Sequence, residues 1–101
     1  MKETATYTFI MNFRGGTYCS QLKAFDIEQA LNKWTNIIKK DSAEIKYLTL
    51  DKLTKLKAEI GNGERPTKLK GLKNIWFSFF LLTNKDEIYL HIIKTDTEPS
   101  R

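Results

Sequence analysis

The most apolar stretch of the chain is an eight-residue run, Ile75–Leu82, which contains three phenylalanines and one tryptophan. Eight residues suit a β-strand and fall well short of the roughly 20 that a membrane-spanning helix needs. Polar residues at 84–86 break the run, and a second strand-like segment follows at 87–94. The pattern therefore predicts a β-hairpin over about 74–94, in the middle of a sheet.

The N-terminal segment, Thr4 to Phe13, alternates with a period of two. Large apolar side chains at odd positions alternate with mostly polar side chains at even positions, so the two sets lie on opposite sides of a half-buried strand. The stretch Arg14-Gly15-Gly16 supplies residues that can adopt positive φ at little cost, so a tight hairpin is expected there, followed by a return strand over 17–24. The side chains of this strand that point away from the core are predicted to be Thr17, Cys19, Gln21 and Lys23.

An amphipathic helix is predicted over 26–40. Asp26 is a suitable N-cap, and Gln29 stands at the third helical position, as in a capping box. The apolar stripe of this helix is Ile27, Ala30, Leu31, Trp34, Ile37 and Ile38.

Residues 41–60 leave more than one arrangement open. One is a short helix from Asp41 or Ser42 to Tyr47, followed by a second helix that Gly61 ends. The apolar stripe of this second helix is Leu50, Leu53, Leu56 and Ile60. A single kinked helix or a short strand at 47–50 also fits.

The order of elements predicts an α+β fold, with a four-stranded antiparallel sheet built from two hairpins (β-β-α-α-β-β) and helices packed on one face. The length of 101 residues predicts one domain, over 1–94, with a flexible tail at 95–101. The order of the two hairpins across the sheet is left open.

Charge and cysteine content narrow the expected functions. The net charge is +5, and the whole basic excess lies in 46–73, where eight basic residues accompany three acidic ones. A single cysteine cannot form an internal disulfide, which fits a reducing compartment, and the N-terminus lacks a signal-peptide apolar stretch. We therefore expect a cytoplasmic protein without membrane association.

Few catalytic or metal sites can be built from this sequence. One cysteine and one histidine are too few for a zinc site, and no cofactor motif is present, so no cofactor is expected. Cys19 and His91 are the one available thiol–imidazole pair, and both are predicted on the outer side of their strands. A small strand residue and a surface imidazole explain them more simply, so we predict a non-enzymatic protein.

The second hairpin offers a candidate interaction face. On its first strand, the residues assigned to the core are Ile75, Phe77, Phe79 and Leu81. The alternate residues then stay outside unless the second helix, the basic loop predicted over 61–73 or the tail covers them. Exposed apolar patches of this kind mark interfaces. The predicted partner-binding face comprises Trp76, Phe80, Leu82, Tyr89, His91 and Ile93.

The basic segment has three interpretations. It is a solvated helix face, a surface for an acidic protein partner, or a surface for nucleic acid phosphates. The basic residues concerned are Lys52, Lys55, Lys57, Arg65, Lys68, Lys70 and Lys73.

Several residues of the N-terminal third also form a wider pattern, namely Phe13, Gly15-Gly16-Thr17-Tyr18, Ser20-Gln21, Ala24, Ala30-Leu31 and Trp34. The pattern resembles that of small bacterial single-domain proteins, some of which are immunity partners of secreted toxins. The order of hairpin and helix is also similar to the N-terminal part of HicB-type antitoxins. The resemblance implies a binding protein whose partner is a toxin.

We therefore predict a small protein-binding module of bacterial type, with a toxin, another protein or a second copy of itself as partner. The alternative is a nucleic-acid-binding protein that uses the basic segment.

Overall fold

The computed structural model describes residues 4–61, 66–83 and 85–95. Its single antiparallel sheet has the strand order β2-β1-β5-β4-β3. The elements are β1 (Ala5–Phe13), β2 (Gly16–Ala24), α1 (Ile27–Asp41), α2 (Leu50–Gly61), β3 (Thr67–Lys68), β4 (Ile75–Leu81) and β5 (Glu87–Lys94). The predicted α+β class is confirmed, but the sheet has five strands rather than four.

The additional strand, β3, lies in the segment that was predicted as a basic loop. Thr67 pairs with Phe77, and Lys68 pairs with Trp76, so β3 covers only the first part of β4. Two residues are too few to produce a detectable alternation, which is why the sequence pattern misses the strand.

The tight hairpin predicted at 14–16 is present, and it closes through a two-residue turn, with Gly16 as the first residue of β2. Arg14 (φ 51°) and Gly15 (φ 78°) both adopt positive φ, and Phe13 pairs with Gly16. A turn with two positive φ values matches the right-handed twist of the flanking strands. The turn thus sets an unbroken register between β1 and β2.

Helix α1 begins where the capping residues predict. The Asp26 side chain accepts a hydrogen bond from the Gln29 backbone N–H at 2.8 Å, and the Gln29 side chain accepts one from the Phe25 backbone N–H at 2.7 Å. Two backbone donors at the start of the helix are therefore satisfied by side chains.

The segment between the helices resolves the alternatives left open by the sequence. A short 3₁₀ turn, Ser42–Glu44, precedes Tyr47, whose φ is 71°, and α2 starts at Leu50. A left-handed residue cannot continue an α-helix, so Tyr47 separates the two helical pieces.

The helices pack on one face of the sheet and form the core with it. Trp34 of α1 stacks on Phe9 of β1, with ring centroids 5.5 Å apart and planes 7° from parallel. From α2, Leu53 and Leu56 are buried, whereas Leu50, predicted on the same stripe, is 71% exposed. On β5, the inward positions are Ile88, Leu90 and Ile92, as the alternation predicted.

The predicted orientation of β4 is wrong. Phe80 and Leu82 are buried on the helix-covered side, and Trp76 packs against the core from the same side. The register explains the reversal, because Phe80 lies opposite Ile88, and directly opposed residues share a face. The residues at 77, 79 and 81, predicted to be inside, therefore point outward.

Among the described residues, neither helix has the length and apolar composition that a bilayer span requires.

Candidate interaction surface

The face of the sheet opposite the helices carries a continuous apolar and aromatic surface on β4, β5 and β1. Its most exposed members are Phe79, Leu81 and Tyr89, with 41–45% of their surface accessible. None of its residues is a lysine, an arginine or a carboxylate. We call this surface the outer patch and define it as Ile10, Phe77, Phe79, Leu81, Tyr89, His91 and Ile93.

The rings of the outer patch contact each other across the two strands. Phe79 lies opposite Tyr89, with ring centroids 5.2 Å apart, and Phe77 lies opposite His91, with centroids 5.1 Å apart. Both are non-hydrogen-bonded pairs of the ladder. The Leu82 N–H donates to the Asp86 carbonyl opposite it, and because bonded and non-bonded pairs alternate, the even-numbered residues of β4 are the hydrogen-bonded ones. Side chains approach closest at such pairs, which makes the aromatic surface compact.

Polar residues border the outer patch. On its β1–β2 side, Gln21 donates to Thr8 at 2.9 Å and Thr17 donates to Asn12 at 2.7 Å. The Tyr89 hydroxyl donates to the Glu87 carboxylate, which raises the pKa of Tyr89.

A shallow cleft of about 400 Å³ adjoins the outer patch at Tyr89, and Arg14, Lys85 and Glu87 also line it. An apolar centre with a polar, charged margin is the usual anatomy of a protein–protein interface.

The structure divides the predicted partner-binding face into two sets. Tyr89, His91 and Ile93 lie on the open face as predicted, whereas Trp76, Phe80 and Leu82 belong to the covered side. Their places on the open face are taken by the neighbours that were predicted to be core: Phe77, Phe79 and Leu81. The length of the turn after β4 was the signal that could have identified them, since it sets the register.

Cys19 and His91 do not form a catalytic pair. Both lie on the outer face, but Ile10 of β1 pairs with each of them and so stands between them. Two strand spacings separate the Cα atoms by about 10 Å, far beyond the roughly 3 Å of a hydrogen bond. The thiol–imidazole hypothesis is therefore dropped.

The basic residues are distributed over several elements. Lys55 and Lys57 are exposed on α2, whereas Lys68, Lys70 and Lys73 are exposed on β3 and in the residues between β3 and β4. Lys52 is held by an ion pair, and Arg65 lies outside the described residues. None of these residues belongs to the outer patch, and α2 packs on the opposite side of the sheet.

A buried carboxylate joins three parts of the fold next to the cleft. Asp86, in the β4–β5 turn, is 2% exposed. Its carboxylate forms an ion pair with Arg14 of the β1–β2 turn and another with Lys52 of α2, whose Nζ lies 2.7 Å from Asp86 Oδ2. The same oxygen accepts a hydrogen bond from the Thr83 hydroxyl at 2.7 Å. The hydrogen bonds from Arg14, Lys52 and Thr83 hold the pKa of Asp86 well below its usual range.

The same cluster fixes the left-handed residue before α2. The Arg14 guanidinium lies 4.5 Å from the centroid of the Tyr47 ring, and the Lys52 ammonium donates to the Tyr47 carbonyl at 2.8 Å. The two cations thus connect the N-terminal hairpin and α2 to the strained segment between the helices. The sequence indicates only an ordinary turn residue at Asp86, because both of its cationic partners are distant along the chain.

Within 4–61, 66–83 and 85–95, no three histidine, cysteine or carboxylate side chains are grouped in a way that would hold a metal ion.

Comparisons of the chain with protein-family models, with curated proteins and with solved structures found no match. Function is therefore inferred from the geometry of the outer patch.

Proposed function

We propose that the chain is a small, non-enzymatic binding module that engages another protein through the outer patch. A toxin is the class of partner that the N-terminal sequence resemblance implies. The observation that carries the proposal is the placement of Phe79, Leu81 and Tyr89 on a sheet face that the helices leave uncovered.

The chemistry of the outer patch favours a protein partner over nucleic acid. Phosphate recognition needs several lysines or arginines beside the stacking rings. Arg14 and Lys85 are the two cations that line the cleft at Tyr89, and Arg14 is already paired with Asp86. The exposed lysines of α2 lie on the far side of the sheet, and the other half of the outer face is mainly threonine, asparagine and glutamine. Aliphatic side chains such as Leu81 and Ile93 beside the rings suit the apolar centre of a protein interface.

Site-specific photo-crosslinking in the source cells tests the proposal. A benzoylphenylalanine at position 79 keeps an aromatic side chain at the exposed centre of the outer patch, and the same group at Lys55 serves as the matched control on α2. We expect a discrete protein adduct from position 79 and none from position 55. Nucleic acid adducts, or equal labelling at both positions, would contradict the proposal.

Alanine variants of the two central rings provide the quantitative test with the crosslinked partner. Aromatic hot spots contribute about 2 kcal/mol or more, so Phe79→Ala and Tyr89→Ala should each weaken binding by about 30-fold. Lys55→Ala should leave the dissociation constant unchanged. Isothermal titration calorimetry measures all three, and circular dichroism checks that the variants remain folded.

A further inference from the structure

The edge of the sheet formed by β2 is unusually open. The strand runs for nine residues in unbroken register with β1, and no described strand pairs with its other edge. Natural proteins protect such edges with charges, prolines or bulges. Here β2 contains no proline, and its one charged side chain is Lys23, near its end.

Hydrogen bonds at the ends of the strands show which backbone groups face this edge. The Thr6 carbonyl accepts from the Thr95 N–H, so the backbone groups of Thr6 point toward β5 and not toward β2. Lys23, opposite Thr6, must then direct its own groups to the free edge. The alternation of an antiparallel ladder places Thr17, Cys19 and Gln21 in the same orientation.

The free edge of β2 is limited at both of its ends. The Lys33 ammonium of α1 donates to the Lys23 carbonyl at 2.8 Å, and the turn at Arg14 and Gly15 ends the strand on the other side. The residues whose N–H and carbonyl groups both remain available are therefore Thr17, Cys19 and Gln21. This short ladder is symmetric about Cys19.

We propose that a second copy of the chain pairs with β2 antiparallel, centred on Cys19. Thr17 of each copy then lies opposite Gln21 of the other, and Cys19 lies opposite Cys19. Three such pairs exchange about six hydrogen bonds and join the two five-stranded sheets into one.

A second copy suits this edge for two reasons. The three-residue ladder maps onto itself under a two-fold rotation, which gives a closed, isologous contact. The side chains of Thr17, Cys19 and Gln21 are uncharged, so two copies of a chain with net charge +5 do not oppose like charges at the ladder itself. The dimer uses the edge and leaves the outer patch free, so it does not depend on the proposed function.

The register can be tested with disulfides. In a hydrogen-bonded antiparallel pair the Cα atoms are about 5.5 Å apart, within the range that a disulfide spans. Copper–phenanthroline with dissolved oxygen, used as the oxidant, removes two electrons from two Cys19 thiols, which release two protons and form the S–S bond. Because the chain has one cysteine, any crosslinked dimer must join Cys19 to Cys19.

Cysteines at other positions of β2 distinguish a disulfide formed in this register from one formed when two molecules collide at random. In a Cys19→Ser background, Thr17→Cys and Gln21→Cys should each fail to crosslink alone, because equivalent residues would be about 13 Å apart. A mixture of the two variants should crosslink. Efficient crosslinking of Gln21→Cys alone, or equal crosslinking of every combination, would overturn the proposed pairing.

Sedimentation velocity of the reduced protein tests the dimer without oxidation. We expect a species of twice the 11.8 kDa monomer mass at high protein concentration.

Two lysine variants test whether β2 forms the contact. Cys19→Lys places two ammonium groups at the two-fold axis and should weaken the dimer about tenfold. Asn36→Lys on α1 adds the same charge away from the edge and should leave the dimer unchanged. Cys19→Pro removes the N–H that points to the free edge, a substitution that edge strands accept, and should also give monomers. A wild-type monomer at every concentration, or Cys19→Lys and Cys19→Pro dimers as tight as wild type, would refute the proposal.

Discussion

Replacing Phe80 with alanine is expected to lower the free energy of unfolding by about 3–5 kcal/mol, because its ring is 2% exposed within the core. The neighbouring Phe79→Ala removes the same atoms from a ring that is 45% exposed on the outer patch. That variant should lose less than about 1.5 kcal/mol, since nearly half of the surface of Phe79 is already in contact with water in the folded protein. Urea denaturation followed by circular dichroism measures both values.

The comparison of the two variants is decisive for the orientation of β4. The adjacent positions share a strand, a residue type and a substitution, so the difference reports the face alone. If Phe79→Ala were the more destabilising variant, the register with β5 would be shifted by one residue and the outer patch would not exist.

The orientation of β4 also shows why one strand of a hairpin could be predicted and the other could not. Along β5, apolar Ile88 and Leu90 alternate with Tyr89 and His91, so the pattern identifies the buried side. Along β4 both sides are apolar, and the single polar residue, Ser78, is buried opposite Leu90. Only the register across the turn fixes the face, and periodicity does not specify a register.

Local signals were sufficient for α1 and the two hairpins and insufficient for their arrangement. The cap at Asp26 and the glycine turn predicted α1 and the first hairpin, because those signals act within a few residues. The pairing of β1 with β5 places the two hairpins side by side. It joins residues at least 75 positions apart along the chain, and the pair with the smallest separation is Phe13 and Ile88. Nothing in the local sequence specifies such a contact.

For the candidate site as well, local alternation predicted some residues, whereas those that depend on distant contacts were missed. Tyr89, His91 and Ile93 were predicted on the open face from alternation alone, whereas the aromatic residues of β4 were assigned to the wrong side. The ion cluster around Asp86 was not predicted, because an aspartate in a turn is ordinary until the fold brings cations to it. Its two cations come from the first turn of the chain and from α2.

Loss of the Asp86 charge is expected to destabilise the protein at neutral pH. Asp86→Asn keeps the shape of the side chain but leaves the cations from Arg14 and Lys52 without a buried counter-charge. Hydrogen bonds to charged groups contribute about 1.5–3 kcal/mol, so we expect a loss of about 2 kcal/mol and a fall in Tm of roughly 10 °C. Asp51→Asn removes the same charge from an exposed position in the first turn of α2 and should cost less than about 1 kcal/mol.

The pH dependence of this loss identifies its source. The ion pairs and hydrogen bonds lower the pKa of Asp86 in the folded state, so their stabilisation is fully present above the unfolded pKa of about 3.9. Below that value the unfolded chain takes up the proton first, and each further pH unit removes about 1.4 kcal/mol of the contribution. Thermal unfolding of wild type and Asp86→Asn at pH 7, 4 and 3 should therefore show a stability difference that shrinks as the pH falls. A difference that is the same at pH 3 and pH 7 would mean that packing around Asp86, rather than its charge, joins the two turns to α2.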